Sequence, residues 1–143
     1  MITDALLRVS EDQAVTTTAV STNTVDLGVA RDIGEGTALY MNFALTEAFA
    51  NGTSVTFEVI TSSSANLGTP TVIGSSAVLA TAALTLGKNV VVRLNPDIAG
   101  KGQRFIGARY TVVGTMNAGK VTADIVETIG DGQKYYASGF TVV

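Results

Sequence analysis

The stretch from Leu39 to Ile60, LYMNFALTEAFANGTSVTFEVI, decides the fold class. Leu39, Met41 and Phe43 fall on one side of an alternating run, and Val55, Phe57 and Val59 on one side of a second. A period of two is the pattern of a half-buried β-strand. Between the runs stands Asn51-Gly52, the pair that a tight hairpin prefers because both central residues need positive φ. Thr46–Ala50 reads either as the end of the first strand or as the start of the turn.

Working outward, further strand signals come at hairpin spacing. Short strands are expected at Thr69–Ile73 and Ala77–Ala80, after a loop from Ser62 to Gly68. Asn89–Leu94 reads as a strand ended by the turn Asn95-Pro96-Asp97. Arg104–Val113 is the longest, with Ile106, Ala108, Tyr110 and Val112 on one face. A turn at Asn117-Ala118-Gly119 is expected to return the chain through Lys120–Thr128, with Val121, Ala123 and Ile125 inward. Ser76–Leu86 is rich in Ala and Leu, but its hydroxyl residues and flanking glycines favour strand or loop over helix. No segment carries a capped 3.6-residue apolar period. The expected fold is therefore all-β: a single-domain antiparallel jelly roll or β-sandwich. Residues 1–25, polar and Thr-rich, read as an extended N-terminal arm on a β domain spanning 26–143. The apolar stretch Phe140–Val143 reads as a last strand or as an arm reaching a neighbour.

Composition limits function. Charged residues make up 15% of the 143, against about 25% in typical domains, and net charge is −3. A surface so poor in charge tends to associate, the first sign of an assembly subunit. The nine Lys and Arg residues are scattered, so no nucleic-acid footprint is expected. No apolar run is long enough for a membrane helix, and no secretion signal is visible at the start. Histidine and cysteine are absent, which removes the common catalytic triads and zinc sets. The reading is a non-enzyme with no cofactor and no metal.

The best candidate cluster is Asp26, Arg31, Asp32 and Glu35. Carboxylates beside glycines suit Ca²⁺ or acid–base work, yet the spacing is not that of a calcium loop. The plainer reading is a turn whose Asp side chains bond nearby amides while Arg31 pairs with a carboxylate. Gly34-Glu35-Gly36 and Gly130-Asp131-Gly132 read as turns, and Asn51-Gly52-Thr53 as a hairpin rather than a glycosylation acceptor. Tyr135 and Tyr136 read as packed strand residues or a contact patch. Arg93, Arg104 and Arg109 are placed to pair with Glu58 or Asp124, or with acidic groups of a partner.

Gln13-Ala14-Val15-Thr16, Ser21–Gly28 (STNTVDLG), Arg31–Gly36 (RDIGEG) and Leu39-Tyr40 resemble the capsid cement (decoration) proteins of tailed bacteriophages, of the type found in a Bordetella podophage. The order of later elements agrees over nearly the whole chain, least so over Gln133–Val143. The resemblance implies a jelly roll on the outside of an icosahedral head, made in the host cytoplasm. It implies partners too: the major capsid protein, and other copies of itself, as dimers in preference to trimers. Gln13, Thr16, Asn23, Asp26, Arg31, Asp32, Glu35, Tyr135 and Tyr136 are the expected contact residues. The rival readings are a carbohydrate- or host-surface-binding jelly roll and a tail or head-completion subunit.

Overall fold

The computed structural model describes residues 3–33, 36–95 and 103–127. Ten strands make up most of them: β1 (Arg8–Ala14), β2 (Ala19–Val20), β3 (Val25–Asp26), β4 (Tyr40–Asn51), β5 (Ser54–Ser62), β6 (Thr71–Ser75), β7 (Leu79–Ala80), β8 (Asn89–Arg93), β9 (Phe105–Val113) and β10 (Met116–Val126). Single 3₁₀ turns occupy Ala5–Leu7 and Thr81–Ala83, and no α-helix occurs among the described residues. Ser76–Leu86 thus forms no α-helix: it holds the short strand β7 and the 3₁₀ turn Thr81–Ala83, in loop on either side.

The strands form two antiparallel sheets packed face to face. One has the order β1-β10-β4-β8. The other has β2-β9-β5-β6, with β3 continuing β2 along β9 and β7 continuing β6 along β5. Nested pairs β1 with β10, β2 with β9, β4 with β8 and β5 with β6 describe one long antiparallel ribbon. Rolling that ribbon brings β10 beside β4 and β9 beside β5. This is the jelly-roll arrangement, and the fold class read from the sequence is borne out.

The alternating faces meet in one core. Met41, Phe43, Leu45, Val121, Ala123 and Ile125 from the first sheet oppose Val55, Phe57, Val59, Ile106, Ala108 and Tyr110 from the second. Phe43, Phe57 and Tyr110 stand with ring centroids 5.2–6.0 Å apart, tilted or edge-on. Such pairs add about 0.5–1.5 kcal/mol each beyond area burial. Asn51 and Gly52 do take positive φ, 59° and 60°, but the expected hairpin is not formed: β4 and β5 belong to different sheets and do not pair, so the turn carries the chain from one sheet to the other.

Two further expectations are corrected. Residues 8–25 are not an arm. β1 pairs along β10 from Arg8–Asp124 to Ala14–Lys120, and Val9 and Val15 are fully buried. Register shifts after Arg8 and after Ser10, with Asp12 at φ 44°, break the period of two that would have marked the strand. Apolar gain at Val9 and Val15 outweighs the polar composition around them. The second correction is the turn at 117–119. The chain reverses instead at Gly114-Thr115, with Gly114 at φ 84°, and 117–119 form the bulged start of β10. Gly119, at φ 139°, lets the Phe49 ring lie on the backbone: a Cβ there would stand 2.5 Å from Phe49 Cδ1. The turn at Pro96-Asp97, residues Gly34 and Glu35, and everything from Thr128 on, including Tyr135, Tyr136 and Phe140–Val143, lie outside the described residues.

Candidate interaction surface

The predicted contact residues scatter over the sandwich. Gln13 is half-buried and belongs to a buried relay. The Tyr110 hydroxyl donates to Ser10 Oγ at 2.7 Å, and the Ser10 hydroxyl donates to Gln13 Oε1 at 2.6 Å. The Gln13 amide donates to the Val20 carbonyl at 2.8 Å, and its Oε1 also accepts from the Thr22 N–H at 3.0 Å. Burial pushes the Tyr110 hydroxyl well above its ordinary pKa, so it stays a donor. Gln13 therefore joins β1 of one sheet to the β2–β3 strand of the other. Asn23 lies on the same seam, its N–H donating to the Val9 carbonyl at 2.9 Å. Thr16 is exposed at the opposite end of β1, and its carbonyl accepts from the Met116 N–H.

Asp26, Arg31 and Asp32 sit at the other end, on and after β3. Both Asp26 carboxylate oxygens accept from Arg104, at 2.5 and 2.6 Å, and one also accepts from the Gly28 N–H at 2.8 Å. The Arg104 hydrogen bonds, helped by the Gly28 amide, hold this carboxyl at about 2. The partner is Arg104, 78 positions away, and not the adjacent Arg31. The expected amide bond within the turn is present, from the Gly28 N–H to Asp26. Arg104 also lies over the Phe105 ring, 5.1 Å from its centroid.

Elsewhere the strands pair charges across the body. Arg109 forms a fork with Glu58 at 2.7 and 3.0 Å, and the Thr111 hydroxyl donates to the same carboxylate. The Arg109 bonds lower the Glu58 pKa. Asp124 takes Arg8 at 2.8 Å, and Lys120 spans Asp12 and Glu47 at 3.3 and 3.9 Å. Of the arginines expected near Glu58 and Asp124, only Arg109 reaches one. No group of three or more acidic side chains disposed to hold a metal occurs among the described residues.

What sequence reasoning missed is an apolar cavity of about 290 Å³ at the Asp26 end of the sandwich. Leu7, Val25, Leu27, Ile33, Leu39 and Ile106 line it, together with residues 125–127. Leu6, next to the lining residue Leu7, and Val29, two positions from Leu27, are 85% and 57% exposed. No local signal marks this site, because its walls come from residues as far apart in sequence as Leu7 and Glu127.

A family model named Bbp16 matches residues 9–125, from β1 to all but the last residue of β10. The chain belongs to the Bbp16 family. The name suggests a Bordetella phage protein. The match spans strands of both sheets, so the Bbp16-family region is nearly the whole described sandwich rather than one motif of it. No curated protein matches this Bbp16-family chain.

Proposed function

We propose that this Bbp16-family protein is a structural component of the phage virion, a cement protein that docks on the outside of the head. Its partners are neighbouring subunits of the major capsid protein and other copies of itself, paired as dimers. The observation that carries the reading is the family match over the entire sandwich. The chemistry of the exterior supports it. Four of the nine basic residues, Arg8, Arg104, Arg109 and Lys120, are engaged with carboxylates of the same chain. What this leaves outside is largely Thr, Ser, Ala and Gly, a surface suited to being covered.

In this reading the protein catalyses nothing. It acts by linkage: a molecule that binds the assembled shell better than loose subunits adds its binding free energy to shell stability. A rigid body suits that role, because no ordering cost is set against each contact. About 800 Å² per partner is enough for a specific interface, and contacts repeated over a lattice reinforce one another.

The test is to add the purified protein to phage heads grown without it. Co-sedimentation to a saturating stoichiometry and a higher temperature of DNA release are expected. Heads that neither bind the protein nor gain heat resistance would overturn the proposal. Sedimentation velocity of the protein alone reports the dimer.

A further inference from the structure

We infer that the free edge of β8 takes an added strand from another protein, an extended segment whose carboxylates face Lys88 and Arg93. This does not rest on the virion reading, and it holds whichever protein supplies the segment.

β8 lies at the end of its sheet, with β4 on one side only. The Leu45 N–H donates to the Lys88 carbonyl and the Leu94 N–H to the Leu39 carbonyl, both at 2.9 Å. With Phe43 opposite Val90 and Met41 opposite Val92, residues 88, 90, 92 and 94 turn their backbone groups toward β4. Asn89, Val91 and Arg93 turn theirs away. Past Arg93 the edge is shut. There the Asn95 N–H donates to the Ile73 carbonyl at 2.9 Å, and the Arg93 carbonyl lies against Gly74. Before it, the N–H and C=O groups of Asn89 and Val91 have no backbone partner among the described residues.

The other edges are blunted. β1 shifts register twice along β10 and β6 once along β5, while β2, β3 and β7 are two residues each. Bulges and brevity protect an edge from stray pairing. β8 has neither: its five residues keep an unbroken register, with Val90, Val91 and Val92 at the centre. The exposed Leu86 stands on the stretch that prolongs β8 along β4, so apolar surface continues the edge. Unpaired groups on a regular strand are a template for strand addition.

Charge chooses the occupant. From Val59 to Pro96 the chain has no Asp or Glu, and Lys88 and Arg93 are the only charged residues. Neither makes an ion pair among the described residues. They bracket the open edge, about 17 Å apart along an extended strand. A second β8 would gather like charges: in antiparallel registers centred on Val90 or on Val91, Lys88 of one copy comes beside Arg93 of the other. An extended segment with a carboxylate near each end meets both cations instead.

The probe is a labelled synthetic peptide that alternates valine and threonine and has glutamate near both ends; its control has lysine in place of glutamate. Fluorescence anisotropy with the full-length protein should show the glutamate peptide binding about ten-fold more tightly, the scale of two charge pairs gained against two repulsions. Lys88→Glu combined with Arg93→Glu should reverse that order. Val91→Pro removes an outward N–H and no ladder bond, so it should melt near the parent temperature and bind neither peptide. Should the proline variant melt early, the charge-reversed protein decides alone. Equal affinity for the two peptides, no binding of either by the parent, or an order left unchanged by charge reversal would overturn the inference. So would a folded Val91→Pro that binds like the parent. A dimer in sedimentation velocity that Val91→Pro dissolves would also overturn it, assigning the edge to a second copy.

Discussion

Replacing Gly119 by alanine tests the packing logic of β10 most directly. Two costs are superimposed at this position. The backbone stands at φ 139°, a conformation that residues with a Cβ rarely adopt, and forcing one there costs about 1–3 kcal/mol. The new Cβ would also stand 2.5–2.7 Å from three atoms of the Phe49 ring. That ring is 6% exposed and edge-on to Phe57 at 6.4 Å, so it has little room to withdraw. Overpacking of this kind costs a further ~1–3 kcal/mol. Gly87 separates the two terms. It has φ 80° and nothing within 4 Å of a Cβ, so Gly87→Ala bears the backbone cost alone. Urea unfolding of both variants should show unchanged slopes, with Gly119→Ala destabilised by about 2–6 kcal/mol and Gly87→Ala by roughly 1 kcal/mol. The first is a large part of the about 5–15 kcal/mol that holds a domain of this kind together. If Gly119→Ala cost no more than Gly87→Ala, the contact with Phe49 would not constrain the strand, and the account of the bulge would fail.

Gln13→Ala should cost about 1–3 kcal/mol by urea denaturation, because it strips partners from the Ser10 hydroxyl, the Val20 carbonyl and the Thr22 N–H; an unchanged midpoint would return Gln13 to the list of free surface groups. Stability should fall with acid through the Asp26–Arg104 pair. The Asp26 pKa is lowered from 3.8 to about 2, so its contribution is complete above about pH 4 and is lost as pH drops toward 2. Asp26→Asn should flatten that part of the pH profile, and a profile identical to that of the parent would refute it. Deleting residues 1–20 removes β1 and β2 with Val9 and Val15, so the product should lose its cooperative thermal transition; a truncated protein melting near the parent temperature would restore the arm reading.

The centre of the fold was legible because its strands are regular. β4, β5, β8 and β9 alternate without interruption over at least five residues each, and the inward faces of β4, β5 and β9 were read as they stand. β1 escaped because the shifts around Ser10 and Asp12 put consecutive residues Val9 and Ser10 both out of solvent. The beginning of β10 escaped for a related reason: Asn117 and Gly119 look like turn residues, but the latter serves the Phe49 ring. The contact residues were harder still. Asp26 stands five positions from Arg31 in sequence, yet its guanidinium comes from Arg104, which register along β9 brings to the end of β3. Gln13 looked like an exposed amide because nothing local reveals Val20 and Thr22 folding back across it. The cavity depends on long-range closure alone.

The pairing of β1 with β10 has a consequence in time. Arg8 and Asp124 are 116 positions apart, and the bond between them joins the earliest and latest described strands. Such long-range pairings make folding slow, in the range of milliseconds to seconds, since loop closure must precede the contacts that reward it. On the ribosome, Val9 and Val15 wait without their partner strand until residues beyond 120 have emerged. A chain interrupted before that point has an unpaired first strand and an open core, so only finished copies can present the closed body.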